Sequence, residues 1–411
     1  MNMKKILLSV SVLMMLNANG QIDDQVTVLS GYTNQSYYSL ENGEESNITN
    51  QDWDLAFDVS PFGSSIRTNG AIGVELYVTP FSMSDWATID TTGMLAWTKT
   101  MDSDKYWNIG AFNADFDSNN SSDLGWGEYS SITHYVVGNK TFVVKFTDDS
   151  VKKIVIEQLG SGTYTFKYSD LDNTNEVQET IVKSGYAGKN FVYYNMASSI
   201  IIDKEPLTEN WDMVFGKYIT EIYPGATYGV TGVLLNNGVT AYKDASVETN
   251  MATIDNNVTF NDQINTIGYN WKSFNMSTYT YDLNDSATYF VQTVVGDVWK
   301  LGFTEFGGSS TGVIEFTKEK VAAAGIYTNS DVTISTYPNP VSSELHIESG
   351  IKGKATIELH SNNGQLVIQE GIEFTDAPLL FDVRNFKSGL YLLIIKYNSG
   401  EVVSEKIIIN I

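Results

Sequence analysis

The chain contains no cysteine in its 411 residues. No disulfide can hold it together, no thiolate can bind a metal or attack a carbonyl, and no lipid-bearing cysteine can follow an export signal. Basic residues are few: 25 Lys and Arg stand against 49 Asp and Glu, a formal charge of −24. No Lys/Arg cluster interrupts that field, so nucleic acid phosphates and anionic membranes are repelled, and nucleic acid is excluded as the main partner. Histidine is scarce as well, with only His134, His346 and His360. Beyond the N-terminal twenty residues there is no apolar segment of about 18 residues, which excludes a transmembrane helix in the mature chain.

Aromatic residues make up 12% of the sequence and glycine is plentiful, while helix-period runs are rare. That combination predicts an all-β protein. The length allows two to four domains. One stretch, Trp53-Asp54-Leu55-Ala56-Phe57, recurs as Trp211-Asp212-Met213-Val214-Phe215. Tyr37-Tyr38 precedes the first copy and Tyr193-Tyr194 the second. Trp107 through Phe112-Asn113 is answered by Trp271 through Phe274-Asn275, and Thr141–Phe146 is loosely matched by Asp297–Phe303. Each copy closes on a Gly-rich turn and a strand, Gly160-Ser161-Gly162 before Thr163–Phe166 and Gly307–Ser310 before Gly312–Phe316. A solenoid repeats every 20–50 residues or so. A far longer period, with landmarks kept in order, predicts two whole β domains, at 21–170 and 186–318.

Residues 1–20 read as a secretory signal: Lys4 and Lys5, the apolar run Ile6–Leu16, and the small-residue site Ala18-Asn19-Gly20 before Gln21. Alternating segments then predict strands, interrupted by an irregular stretch from Met94 to Ser131 and, in the second copy, another from Asn250 to Asp285. The polar run Asp170–Glu179 is expected to be a linker, and Glu319–Asp331 a second one with a short helix at 321–324. Residues 332–411 change character. Tyr337-Pro338-Asn339-Pro340 opens four alternating strands, with Asn362-Asn363-Gly364 as a hairpin turn, which predicts a compact Ig-like β-sandwich.

Two resemblances attach to these segments. Tyr337-Pro338-Asn339-Pro340, Asn363-Gly364-Gln365, Ser388-Gly389-Leu390-Tyr391 and Lys406–Ile409 resemble the C-terminal sorting domain of the type IX secretion system. The resemblance implies contact with that machinery through 332–411, and a secreted or outer-surface location reached through the periplasm. Tyr37–Leu40, Trp53–Phe57, Ile66-Arg67-Thr68-Asn69-Gly70, Phe142–Phe146 and Gly162–Phe166 resemble the HmuY-type haem-binding, haemophore-like family. The second copy keeps the Trp-Asp strand and the closing strand but shows no clear Arg-Thr-Asn-Gly equivalent.

Haem requires an apolar slot and one or two axial ligands, commonly His or Met. In the HmuY-like copies the only histidine is His134, at the start of a strand. Met101 lies nearer the region of the first family ligand, and Tyr106, Trp107, Trp126 and Tyr129 are candidate walls for a porphyrin. The alternative is that His134 is a partly exposed strand residue and Met101 a gap-filling one. Asp115, Asp117 and Asn119 begin like a calcium loop, with oxygen donors at alternate positions. Asn120 then stands where glycine belongs and Trp126 where a bidentate Glu belongs, so a solvated acidic loop is the competing reading. Gly308-Ser309-Ser310-Thr311-Gly312 spells a hydrolase nucleophile pattern, but between strands and without a His in its copy it reads as a turn. No phosphate loop, zinc spacing or paired-carboxylate signature stands out. The expectation is an exported, non-enzymatic binding protein for haem or a related porphyrin. The alternative is a surface adhesion or interaction protein, with a protein or glycan partner, on the same scaffold.

Overall fold

The computed structural model describes residues 20–254, 258–322, 334–361, 366–375, 377–397 and 402–410. The expected signal up to Asn19, the turn Asn362-Asn363-Gly364 and the linker from Ala323 onward lie outside them. The protein is all-β, as its composition predicts, and its sheets are antiparallel throughout.

Strand character follows from alternation. In Thr163–Ser169, Tyr164, Phe166 and Tyr168 point into a core while Thr163, Thr165 and Lys167 remain partly exposed, the two-residue period of a sheet with one buried face. Leu55–Asp58 differs in being buried on both faces. Leu55 and Phe57 join the large core around Phe166, whereas Ala56 faces Trp53, Phe191 and Tyr193 on the other side.

Each of the two large cores lies between two sheets; the two four-stranded sheets match strand for strand, and the path of the first large sheet has one strand more than the second. The first contains the path Val177–Val182, Thr163–Ser169, Val151–Gly160, Phe142–Lys145, Glu75–Val78 and Thr98–Thr100, against Ile200–Ile202, Phe191–Asn195, Leu55–Asp58 and Ile66–Thr68. The second contains Ile22–Thr27, Val313–Ala322, Val298–Phe306, Thr288–Gln292 and Thr240–Asp244, against Ala226–Leu235, Met213–Tyr223, Asn34–Ser39 and Gly43–Thr49.

The two copies therefore exchange strands. Phe191–Asn195 of the second copy pairs with Leu55–Asp58 of the first, and Asn34–Ser39 of the first pairs with Met213–Tyr223 of the second. The opening strand Ile22–Thr27 pairs with the closing strand Val313–Ala322, as Val177–Val182 pairs with Thr163–Ser169. Side chains follow the strands: Ile181, Val192, Tyr194 and Met196 fill the first core, and Val26, Val28, Tyr38 and Leu40 fill the second. The expected copies at 21–170 and 186–318 are thus related in sequence, while each core draws on both.

Several sequence expectations change. Asp170–Glu179 is no free linker: 170–176 is a turn tied by Lys152 to Asp170 at 2.6 Å and by Lys153 to Asn173 at 2.5 Å, and Val177 already begins a strand. Glu319–Ala322 continues the strand Val313–Ala322 rather than starting a linker or helix. Asn250–Asp285 contains a hairpin, Lys272–Asn275 with Thr280–Leu283. By its place in the sheet, the counterpart of Phe142–Lys145 is Thr288–Gln292, not Asp297–Phe303. Gly308–Thr311 forms one helical turn between two strands, with Ser310 Oγ donating to the Gly307 carbonyl at 2.9 Å.

The C-terminal segment is a sandwich with a third core around Ile347, Ile357, Leu393 and Ile407. Among the described residues it has seven strands where alternation suggested four. Three form one sheet (Ile334–Tyr337, Glu344–Ser349, Leu379–Asp382) and four the other (Leu366–Phe374, Gly353–Ser361, Gly389–Tyr397, Val402–Ile409). No helix among the described residues is long and apolar enough to cross a membrane.

Candidate functional site: the seam between the two copies

Strand exchange brings the duplicated motifs face to face. Tyr37 packs edge-on against Trp211 with centroids 4.9 Å apart, and Tyr193 packs against Trp53 at 4.8 Å. The phenolic oxygens of Tyr37 and Tyr193 meet at 2.7 Å.

Each Trp-Asp strand is locked by the same contacts. The Asp54 carboxylate accepts the Met196 N–H at 2.7 Å, and Asp212 accepts the Leu40 N–H at 2.7 Å. The backbone N–H of Asp54 donates to Tyr194, and that of Asp212 to Tyr38. Burial pushes both aspartates above the usual carboxylate range, and the backbone hydrogen bond pulls back. Asn69 Nδ2 donates to the Trp53 carbonyl at 3.0 Å, and Asn236 Nδ2 to the Trp211 carbonyl at 2.6 Å. Asn236 is therefore the counterpart of Asn69, and the Arg-Thr-Asn-Gly turn does have an equivalent in the second copy. Its sequence, Leu234-Leu235-Asn236-Asn237-Gly238, keeps the amide and the glycine but replaces Arg67 by Leu234.

Between these strands lies a cleft of about 620 Å³, within the range of small-ligand sites. Its walls include Tyr37, Trp53, Trp107, Tyr193 and Trp211, with the hairpin formed by Met213–Tyr223 and Ala226–Leu235 along one side. A hollow of about 460 Å³ adjoins it, sharing Met101, Asp102, Asp104, Tyr218 and Glu221. At one edge Gly70 lies so close to Ile219 that a Cβ would stand 2.9 Å from Cγ1, which keeps the turn after Asn69 tight against the hairpin.

The charged residues in the inner wall are turned to structural use. Arg67 donates to the carbonyls of Ser103, Tyr106 and Trp107 at 2.8–3.3 Å, and its guanidinium stacks 5.0 Å from the centre of the Trp107 ring. Trp107 Nε1 in turn donates to the Leu235 carbonyl at 2.8 Å, which ties the copies together. Glu205 is 2% exposed. It accepts from the Asn190 N–H at 3.0 Å and the Tyr193 hydroxyl at 3.1 Å, and burial pushes its carboxyl up to about 8. It is thus mostly uncharged at neutral pH.

A further group of atoms in this wall lacks partners. The buried side-chain atoms without a hydrogen bond among the described residues include Trp53 Nε1, Trp211 Nε1, Asn69 Oδ1, Thr100 Oγ1 and Tyr218 OH, and all five belong to cleft-lining residues. Only four others occur in the rest of the described protein: Ser65 Oγ, Tyr289 OH, Thr336 Oγ1 and Glu405 Oε2.

The candidate residues from sequence do not converge on one place. Met101 lines the cleft, half-buried. Trp126 is fully buried in the first core, its Nε1 donating to Ser64 at 2.9 Å, so it offers no face to a porphyrin in the cleft. His134 sits exposed in a turn at φ 59°, its Nδ1 2.8 Å from the Tyr129 hydroxyl. In the acidic loop Asp115 pairs with Lys140 at 2.9 Å, Asp117 Oδ1 accepts from the Asn119 N–H at 2.9 Å, and Asp123 accepts from the Asp117 and Gly125 N–H groups at 2.8 Å. Lys140 and N–H groups of the loop thus engage one oxygen each of Asp115 and Asp117 and both of Asp123. No group of three or more His, Asp or Glu among the described residues is placed to hold a metal.

Residues 335–410 match the secretion system C-terminal sorting domain. The chain carries this type IX sorting domain at its C-terminus, which implies export to a secreted or cell-surface location. No curated protein matches the chain. Among solved structures, the crystal structure of dimeric latent PorU from Porphyromonas gingivalis is similar at 11% identity over 67% of this chain and 31% of that one, with a TM-score of 0.17. The chain spans less than a third of that protein, and so slight a likeness says nothing about fold or function. The HmuY-type resemblance rests on its motifs alone.

Proposed function

We propose that this is an exported, non-enzymatic surface or secreted binding protein, delivered by the type IX machinery through the periplasm, whose ligand sits in the seam cleft. The carrying observation is the concentration of unpartnered buried donors and acceptors in that one wall. Each such group costs about 1–3 kcal/mol in a folded protein, a cost that a site can recover when its ligand arrives.

This observation favours the adhesion or interaction reading. The orphan groups ask for a ligand with its own polar atoms, and of the residues expected around haem only Met101 and Trp107 line the cleft. Haem or a related porphyrin keeps one specific support, the aromatic walls beside Met101. A haemin titration of the full chain, followed in the Soret region beside Met101→Ala and His134→Ala, tests it. A saturable shift weakened by Met101→Ala establishes haem capture in the cleft, and weakening by His134→Ala instead places haem on the outer turn. No saturable shift removes haem and leaves the interaction reading.

A further inference from the structure

Resting on the reading of the cleft as the ligand site, we propose that it binds a saccharide, one sugar ring seated in the cleft against its aromatic wall with its hydroxyls meeting the orphan groups of that wall. Those groups are of mixed kind. The two indole N–H groups only donate, Asn69 Oδ1 only accepts, and the Thr100 and Tyr218 hydroxyls do both. A ligand bearing only acceptors, such as a carboxylate, would leave Asn69 Oδ1 unsatisfied. A ring bearing several hydroxyls satisfies all of them, because each hydroxyl is donor and acceptor at once. Its C–H faces match the flat aromatic walls, where Trp and Tyr combine an apolar body with a polar tip. The Arg67 guanidinium is not offered to a charged group, since it is held by three carbonyls and stacked on Trp107.

The five atoms have no surface that water reaches in the unliganded protein. The ligand therefore gains its hydrogen bonds by turning these side chains toward it. Binding at Trp53 and Trp211 then changes tryptophan emission, which provides the readout.

The experiment titrates the full chain with short gluco-, xylo-, chito- and manno-oligosaccharides, following tryptophan fluorescence and heat. Haemin and short peptides are the comparators. The variants are Trp53→Phe and Trp211→Phe, which keep a ring and remove the N–H, and Tyr218→Phe. We expect saturable binding of one saccharide series, weakened about tenfold by loss of either indole N–H. Tyr218→Phe should also weaken binding, yet raise the melting temperature of the free protein, because it removes a buried hydroxyl that has no partner. That opposition separates recognition from mere structural support, and it stands even if a Trp variant fails to fold. Absence of saccharide binding overturns the inference. If haemin then binds and Met101→Ala weakens it, the cleft reading survives alone, and capture of peptides only has the same consequence for saccharides. Saccharide binding that all three variants leave unchanged overturns both, since the ligand would lie elsewhere.

Discussion

Tyr37 and Tyr193 share a hydrogen bond of 2.7 Å although 156 residues separate them. Each belongs to a strand that its own copy has given away, so the contact marks the centre of the exchange. Gln35 Nε2 donates to Tyr37 at 2.7 Å on one side, and Tyr193 donates to Glu205 on the other. A polar chain thus runs across the seam, flanked by Trp53 and Trp211.

Crosswise cores predict how the chain can be cut. A fragment of residues 51–205 holds the first core with its borrowed strands, whereas residues 21–170 match the sequence copy but lack Phe191–Asn195. Without that strand, Phe166 loses Tyr194, whose ring centre lies 5.2 Å away. Thermal melts followed by circular dichroism should show a cooperative transition for 51–205 and none for 21–170. Cooperative melting of 21–170 would contradict the exchange.

The two aspartates of the repeated motif should be equivalent in stability. Asp54→Ala leaves the Met196 N–H without an acceptor, and Asp212→Ala does the same to Leu40. Each is expected to cost about 1–3 kcal/mol in urea unfolding. The Asn variants, which retain an acceptor oxygen, should lose less.

Glu205 sets a pH dependence whose sign is fixed by its burial. Its carboxyl titrates at about 8 in the fold, against an ordinary value of 4.5. Between those limits the folded chain holds a proton that the unfolded chain has released. This contribution is fully present below the lower value and is lost as pH rises through the upper one. Asp54, Asp58, Asp102 and Asp212 are also raised by burial and act in the same direction. Glu205→Gln should therefore raise the melting temperature most at about pH 8 and least near pH 4.5. An equal effect at both would show that the carboxyl does not titrate as its surroundings require.

Removal of the matched sorting segment should strand the protein. A chain ending at Asp331 is expected to disappear from the medium and the outer surface and to accumulate inside the envelope, measured by immunoblotting of cell fractions. Surface delivery at the normal level would mean that 335–410 is dispensable for export.

Sequence alone made the β class legible, because alternation in stretches such as Thr163–Ser169 directly records one buried face. The repeat was legible for a related reason: Trp53, Leu55 and Phe57 and their counterparts Trp211, Met213 and Phe215 are all buried, which restricts them to a few residue types. Strand exchange was not. Tyr37 and Tyr193 look the same whichever copy they pair with, since a β-ladder reads backbone and not chain of origin. Asn236 was hidden because its neighbour Leu234 replaces Arg67, so the motif changes while the amide contact persists. Trp126 illustrates the opposite error. A tryptophan in an irregular stretch suggests a ligand wall, yet Phe142, Tyr164 and its neighbours close over it. The acidic loop likewise shows its oxygens in sequence but not the N–H groups that occupy them.

The pairing of Ile22–Thr27 with Val313–Ala322 also determines when the protein can be finished. The opening strand has no partner until nearly three hundred further residues exist. At about 5–20 residues per second of synthesis, it waits for some tens of seconds. Contacts so distant along the chain also make closure slow. A polypeptide built this way can complete its first core early, but its second core closes only after the strand Val313–Ala322 has emerged.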